Sequence, residues 1–209
     1  ASASSTSINT KGILALIADG VSGSNHGEEG STYAIRYFSS LVMQSLMEQK
    51  FSPKLVKEQI HKFLLETNQK LNHKFSNYIK EGKIPKTTFV GILVIGQWLW
   101  SFNLGDSRAY ILKDNKIDQI SKDHIGKTTL HEITQALGQE KINPFIKVYN
   151  WAFSQNENNL NYSFQKEAYA LICSDGLTDK IQAKEIQKIL NEGREKNLQQ
   201  KVEKLFCKY

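Results

Sequence analysis

Ile13 to Ala18 form an unbroken apolar run that ends on Asp19, and Gly20, Gly23 and Gly27 follow closely. A run this short, apolar throughout and bounded by glycines, reads as a buried strand. An ionised carboxylate at the mouth of such a strand is costly unless a cation or hydrogen-bond donors face it. The glycines let the backbone turn tightly and come close to whatever Asp19 binds. Glu28 and Glu29 then open a helical pattern through Tyr33, Ala34, Tyr37, Phe38, Leu41 and Val42, as acidic residues in a first turn should. Alone, this unit reads equally well as an ordinary strand-to-helix turn with a solvated or capping aspartate.

Two further stretches share the design. Tyr169 to Cys173 is apolar and leads through Ser174 to Asp175-Gly176; Trp98 to Leu104 leads to Gly105-Asp106. Three strands that end on aspartate beside glycine can bring three carboxylates to one end of a sheet. Hard divalent cations prefer such a cluster of oxygens.

The 209 residues are 40% hydrophobic, enough for one domain with a substantial core. No run of 18 apolar residues suggests a membrane span, and the first ten residues have neither the basic nor the apolar region of a signal peptide. Those ten read as a flexible segment or a cut loop. Cys173 and Cys207 make no disulfide framework, so a reducing cytoplasm is the simplest compartment. Cys173 reads as a small hydrophobe in a core strand. The net charge of +6 comes from lysines scattered along helices without interleaved aromatics. That pattern points to solvated faces and away from nucleic acid.

Along the chain, helices are expected from Gly27 to about Gln49 and from Pro53 to about Tyr78, the second with Ser52 as cap and Pro53 in its first turn. Val56, Ile60, Phe63, Leu64, Thr67, Leu71 and Phe75 make its buried stripe; His61 and His73 lie off it and face solvent. Thr87 to Ile95, Trp98 to Leu104, Ala109 to Leu112 and Ile117 to Ile120 read as strands joined by tight turns, one at Asp114-Asn115. Consecutive hairpins mean an antiparallel sheet. A short helix is expected over Ile133 to Leu137, and strands over Phe145 to Phe153, within Leu160 to Phe164, and over Ala168 to Cys173. Helices over Thr178 to Leu190 and Leu198 to Phe206 complete an α+β layered fold.

The ordered set of motifs resembles the metal-dependent serine/threonine protein phosphatases of the PP2C type: Ala18-Asp19-Gly20-Val21-Ser22-Gly23, Gly105-Asp106-Ser107-Arg108 and Ser174-Asp175-Gly176-Leu177. The segments between agree. Thr87-Thr88 resembles the family's Gly-Thr-Thr strand start, Ser121 to His124 its Thr-x-Asp-His turn, and Thr134 to Gly138 its Thr-Arg-Ala-Leu-Gly. The resemblance covers roughly residues 12 to 190 and implies a four-layer α-β-β-α sandwich, two antiparallel sheets flanked by helices. It implies two Mn²⁺ or Mg²⁺ ions at one end, with Asp19 bridging them, the Gly20 carbonyl on one and Asp175 on the other. Two such ions, about 3.5–4 Å apart, activate a shared water. A third, weaker ion near Asp106 is implied too, although that turn also reads as purely structural. Arg108 is expected to pair with a nearby carboxylate, and Asp123 and His124 to hold a turn. His26 lies near the glycine turn and reads as a loop histidine within reach of the site.

The implied substrates are proteins phosphorylated on serine or threonine, with a cognate or fused serine/threonine kinase as counterpart and no membrane contact by this segment. The sequence departs from the family in three places. Val21 stands where many members carry histidine, which removes one candidate general acid and brings the turn closer to bacterial members. The family's opening Arg and Asn-Glu-Asp motif does not precede Lys11, and its closing Asp-Asn-x-Thr strand does not follow Tyr209. The domain is therefore expected to span 11–209 and to be incomplete at both termini. An inactive, phosphatase-shaped binding module is the alternative to an enzyme.

Overall fold

The computed structural model describes residues 2–8, 12–21, 23–46, 52–126, 132–150, 168–191 and 197–206. The first sheet is antiparallel and runs in the order β1-β2-β3-β4-β7. Its strands are β1 (Ser2–Ile8), β2 (Ile13–Asp19), β3 (Phe89–Ile95), β4 (Trp98–Leu104) and β7 (Phe145–Asn150). The second is also antiparallel, in the order β6-β5-β8, from β5 (Arg108–Lys113), β6 (Lys116–Gln119) and β8 (Tyr169–Cys173). Helices α1 (Gly27–Leu46) and α2 (Pro53–Lys74) lie on the first sheet, with the short α3 (Ser76–Lys80) after them. Helices α4 (Asp175–Thr178), α5 (Ala183–Asn191) and α6 (Leu198–Phe206) follow β8, and α5 packs on β6.

Strand alternation explains the layering, because successive side chains face opposite sides of a sheet. Leu14, Leu16 and Ala18 of β2 join Phe89, Leu93, Trp100 and Phe102 in the core beneath α1 and α2. Ala15 and Ile17 of β2 turn the other way, with Val90, Ile92 and Leu99, and meet Ala109, Ile111, Ala170 and Ile172 of the second sheet. Leu112, Tyr169 and Leu171 face outward again, onto Ile186, Ile189, Leu190 and Leu205 of the last helices. Three apolar layers thus separate four layers of structure. Phe38, Phe89 and Phe102 are wholly buried in the first, each stabilising by roughly 1.5–3 kcal/mol. Gly91 belongs there because a Cβ would lie 2.4 Å from the Phe102 ring and 2.5 Å from Leu16.

The structure corrects several expectations. Ser2–Ile8, read as a flexible segment or cut loop, is a strand whose backbone pairs with β2 from Ser2↔Asp19 to Ile8↔Ile13. Its serine-rich composition hid it, since an edge strand can be held by backbone bonds without an apolar face. Ile133 to Leu137 is no helix. Leu137 exchanges backbone bonds with Thr87 at 3.0 and 3.1 Å, and the Gly138 N–H donates to Asn68 Oδ1 at 2.8 Å. The helix expected over Thr178 to Leu190 is divided: α4 ends at Thr178, and α5 begins at Ala183 with Gln182 accepting from Glu185 and Ile186. The long second helix breaks at Phe75, leaving α3 separate. Ser52 occupies the N-cap of α2 through its backbone only, its carbonyl accepting from Val56 at 3.0 Å. The strand expected within Leu160 to Phe164 lies outside the described residues, as do Cys207 and the residues just past α1 and β7.

Candidate metal centre

Each candidate carboxylate stands where a strand stops. Asp19 is the last residue of β2 and Asp175 the first of α4, just past β8. Asp106 lies in the crossover from β4 to β5. The register brings Asp106 and Asp175 together: Arg108 pairs with Cys173 in antiparallel strands, so residues two positions beyond each leave the sheet at the same end. Thr88, next to Phe89, opposes that end of β4 through Phe89↔Leu104. Asp19 joins the same end through Thr88, whose N–H donates to the Asp19 carbonyl at 2.8 Å.

The carboxylates feel one another. Burial pushes the Asp175 carboxyl above its usual range, the charge of Asp19 adds to this, then that of Asp179, and backbone N–H groups of Gly176 and Asp175 oppose them. Asp106 is pushed up by burial first and by Asp175 second, with smaller contributions from Asp123 and Asp179. The influences on both are therefore burial, other carboxylates and backbone N–H groups. Such a cluster of partly buried, mutually repelling oxygens suits a hard divalent cation. Among the described residues no three acidic, imidazole or thiol side chains close into a metal cage by themselves. The expected set is Asp19, Asp175 and the Gly20 carbonyl, with Asp106 for a further ion, and the family's remaining acids belong to its opening and closing motifs. Asp179 was missed in the sequence, although its place four residues after Asp175 sets both on one helical face.

The supporting structure explains the glycines and the threonines. The Gly20 and Gly27 backbones touch, and a Cβ on Gly20 would lie 2.9 Å from Gly27 Cα. The turn between them is clamped by Ser24, whose Oγ donates to the carbonyls of Val21 and Lys86 at 2.7 and 3.1 Å. Gly105 adopts φ +96°, and a Cβ there would lie 2.8 Å from Thr88 Cγ2. The Thr87 hydroxyl donates to the Asp19 carbonyl at 2.9 Å, and Thr88 Oγ1 accepts the Asp19 N–H at 3.1 Å.

Arg108 pairs with a carboxylate as expected, donating to Asp123 Oδ2 from Nε at 2.9 Å and from Nη2 at 2.7 Å. The guanidinium is held charged chiefly by that bond. Asp123 also accepts from Gln119 at 2.8 Å. His124 holds the Gly105 turn: its N–H donates to the Gly105 carbonyl at 3.0 Å, and its Nδ1 accepts the Gly105 N–H at 3.3 Å. Burial lowers its pKa. His26, at φ +61°, stacks on Tyr78 with centroids 4.1 Å apart and meets Glu29 Oε1 at 3.2 Å. His61 and His73 are exposed. Cys173 is buried, and burial pushes its thiol up to about 12.

Comparison with known proteins agrees with this architecture. The family profile for protein phosphatase 2C matches residues 3–206. The serine/threonine phosphatase stp of Listeria monocytogenes is 25% identical over 193 residues, covering 87% of this chain and 73% of that protein. A putative protein phosphatase of Mycoplasma genitalium is 25% identical over 216 residues, covering 97% and 80%. The solved serine/threonine phosphatase of S. agalactiae superposes with a TM-score of 0.77 at 19% identity, over 99% of this chain and 85% of that one; at that identity the likeness is one of fold. With three glycine-flanked aspartates at one end of a two-sheet sandwich and a profile match over nearly its whole length, the chain belongs to the protein phosphatase 2C family of serine/threonine phosphatases.

Proposed function

We propose that the chain hydrolyses phosphoserine and phosphothreonine in proteins with two divalent cations, Mn²⁺ or Mg²⁺, held at the strand ends. The observation that carries this reading is the convergence of Asp19, Asp106 and Asp175, each beside a glycine, at one end of the sandwich. When bound, such a pair of ions makes water nucleophilic near neutral pH and offsets charge building on the phosphoryl oxygens. Asp19, the Gly20 carbonyl and Asp175 would hold the pair, and Asp106 a third, weaker ion. Thr87 and Thr88 keep the Asp19 backbone in place, and the contact of Gly20 with Gly27 braces the backbone that carries the Gly20 carbonyl. Val21 offers no proton, so the leaving alkoxide takes its proton from a source other than this position, water being one. The substrates are products of a serine/threonine kinase, cognate or fused, and the compartment a reducing cytoplasm. Among the described residues no helix is long and apolar enough to cross a membrane.

The test is hydrolysis of an aryl phosphate and of a phosphothreonine peptide. Turnover that requires Mn²⁺ or Mg²⁺, and is lost with chelator and with Asp19→Asn, is the expected result. A folded form extended at both ends to carry the family's opening and closing motifs that turns over neither substrate at any Mn²⁺ concentration would overturn the reading and leave a module that binds.

A further inference from the structure

Thr88 adds a side-chain link between two parts of the candidate centre that the first sheet already joins through β2, β3 and β4. It is 3% exposed and Ser107 is 1% exposed. A buried hydroxyl is costly unless bonded, and it offers one donor and two acceptor positions. Thr88 Oγ1 accepts the Asp19 N–H at 3.1 Å and shares a hydrogen with Ser107 Oγ at 2.8 Å. Asp19 ends β2 in the first sheet, while Ser107 sits between Asp106 and Arg108, at the entry to the second. The chain Asp19–Thr88–Ser107 therefore ties one carboxylate to the turn that carries another. The same turn is held from behind by His124, through both polar groups of Gly105. In front, Gly105 packs so closely on Thr88 that a Cβ would lie 2.8 Å from the threonine methyl.

We propose that the Thr88 and Ser107 hydroxyls are positioning groups for the carboxylates. They fix the Asp19 turn relative to the Asp106 turn, and so set the affinity of the site for divalent cations. This rests on the cation-binding role proposed above. Neither hydroxyl needs to touch an ion. Removing Thr88 Oγ1 strands the Asp19 N–H and releases Ser107, so only the backbone pairing is left to set the two turns against each other.

The experiment titrates Mn²⁺ calorimetrically into metal-stripped protein carrying Thr88→Val, Thr88→Ser or Ser107→Ala, alongside the unsubstituted chain. Amide hydrogen exchange at Asp19 is followed in the same samples. Thr88→Val should weaken Mn²⁺ binding about 10–100-fold, and Thr88→Ser should stay within about threefold. Asp19 amide exchange should accelerate in Thr88→Val alone. Ser107→Ala keeps the Asp19–Thr88 bond, so it should weaken Mn²⁺ without exposing that amide, and it decides the matter if Thr88→Val does not fold. Unchanged Mn²⁺ affinity in the folded variants, with only a lower melting temperature, would overturn the inference and leave the function proposal standing. No Mn²⁺ binding by the unsubstituted chain would overturn both.

Discussion

The two ends of the sandwich are built by different means. At one end β3 turns into β4 at Gly96, φ +56°, and β5 into β6 at Asp114 and Asn115, φ +52° and +62°. Those turns carry left-handed residues in exposed positions. At the other end the strands stop on Asp19, Asp106 and Asp175, and side chains tie them together: Thr87, Thr88, Ser107, Arg108, Asp123 and His124. The first end holds register with local geometry. The second holds carboxylates together against burial and repulsion, which stability alone gives no reason to do. Apolar packing in three layers supplies what offsets that cost.

The largest expected effect breaks the comparison at its functional side. Asp19→Asn or Asp175→Asn should lower metal-dependent hydrolysis by at least about 10³-fold, read in a steady-state assay, whereas Asn115→Ala at the opposite end should leave it unchanged.

A glycine pair measures how tightly each end is built. Gly105→Ala forces a methyl to 2.8 Å from Thr88 at φ +96° and should cost about 3–4 kcal/mol in chemical denaturation. Gly96→Ala meets nothing within 4 Å at φ +56° and should cost about 1–2 kcal/mol.

Charge relief should show in the metal-free protein. The folded carboxyls of Asp106 and Asp175 are pushed up by burial and by neighbouring acids. A raised folded pKa means stability is full below the unfolded value and is lost as pH rises through the folded one. In chelator, Asp175→Asn should therefore gain about 0.5–1 kcal/mol at neutral pH, a modest figure because the group is partly solvated. That gain should vanish below the ordinary carboxylate range.

A control far from both ends should give the smallest effect. The Tyr37 hydroxyl donates to Glu66 at 2.8 Å, and that bond, more than burial, pushes its phenol up to about 12. Stability from it is complete below the ordinary phenol pKa and fades as pH climbs toward about 12. Tyr37→Phe should cost about 0.5–1 kcal/mol at neutral pH, flatten the alkaline limb of a melting profile and leave hydrolysis untouched.

Much of this was legible in the sequence because it is local. Alternating and continuous apolar runs gave the strands their places, Asp114-Asn115 and Gly96 their turns, and the aspartate–glycine pairs their strand ends. What escaped depends on partners distant in the chain. Thr88 meets Asp19 and Ser107 from 69 and 19 residues away, so no short pattern announces the relay. Ser2–Ile8 has a strand's backbone without a strand's composition. Ile133 to Leu137 looks helical, yet Thr87 and Asn68 take the bonds a helix would have made internally. Asp179 was within reach of local reasoning, since its spacing from Asp175 is helical.

The central claim, that Asp19 and Asp175 jointly hold divalent cations, is tested most directly by anomalous diffraction from crystals of this chain grown with Mn²⁺. The account predicts manganese peaks against the Asp19 and Asp175 carboxylates, with the Gly20 carbonyl as a further ligand. Ordered carboxylates with no manganese between them, in crystals of protein that binds the ion elsewhere, would contradict it.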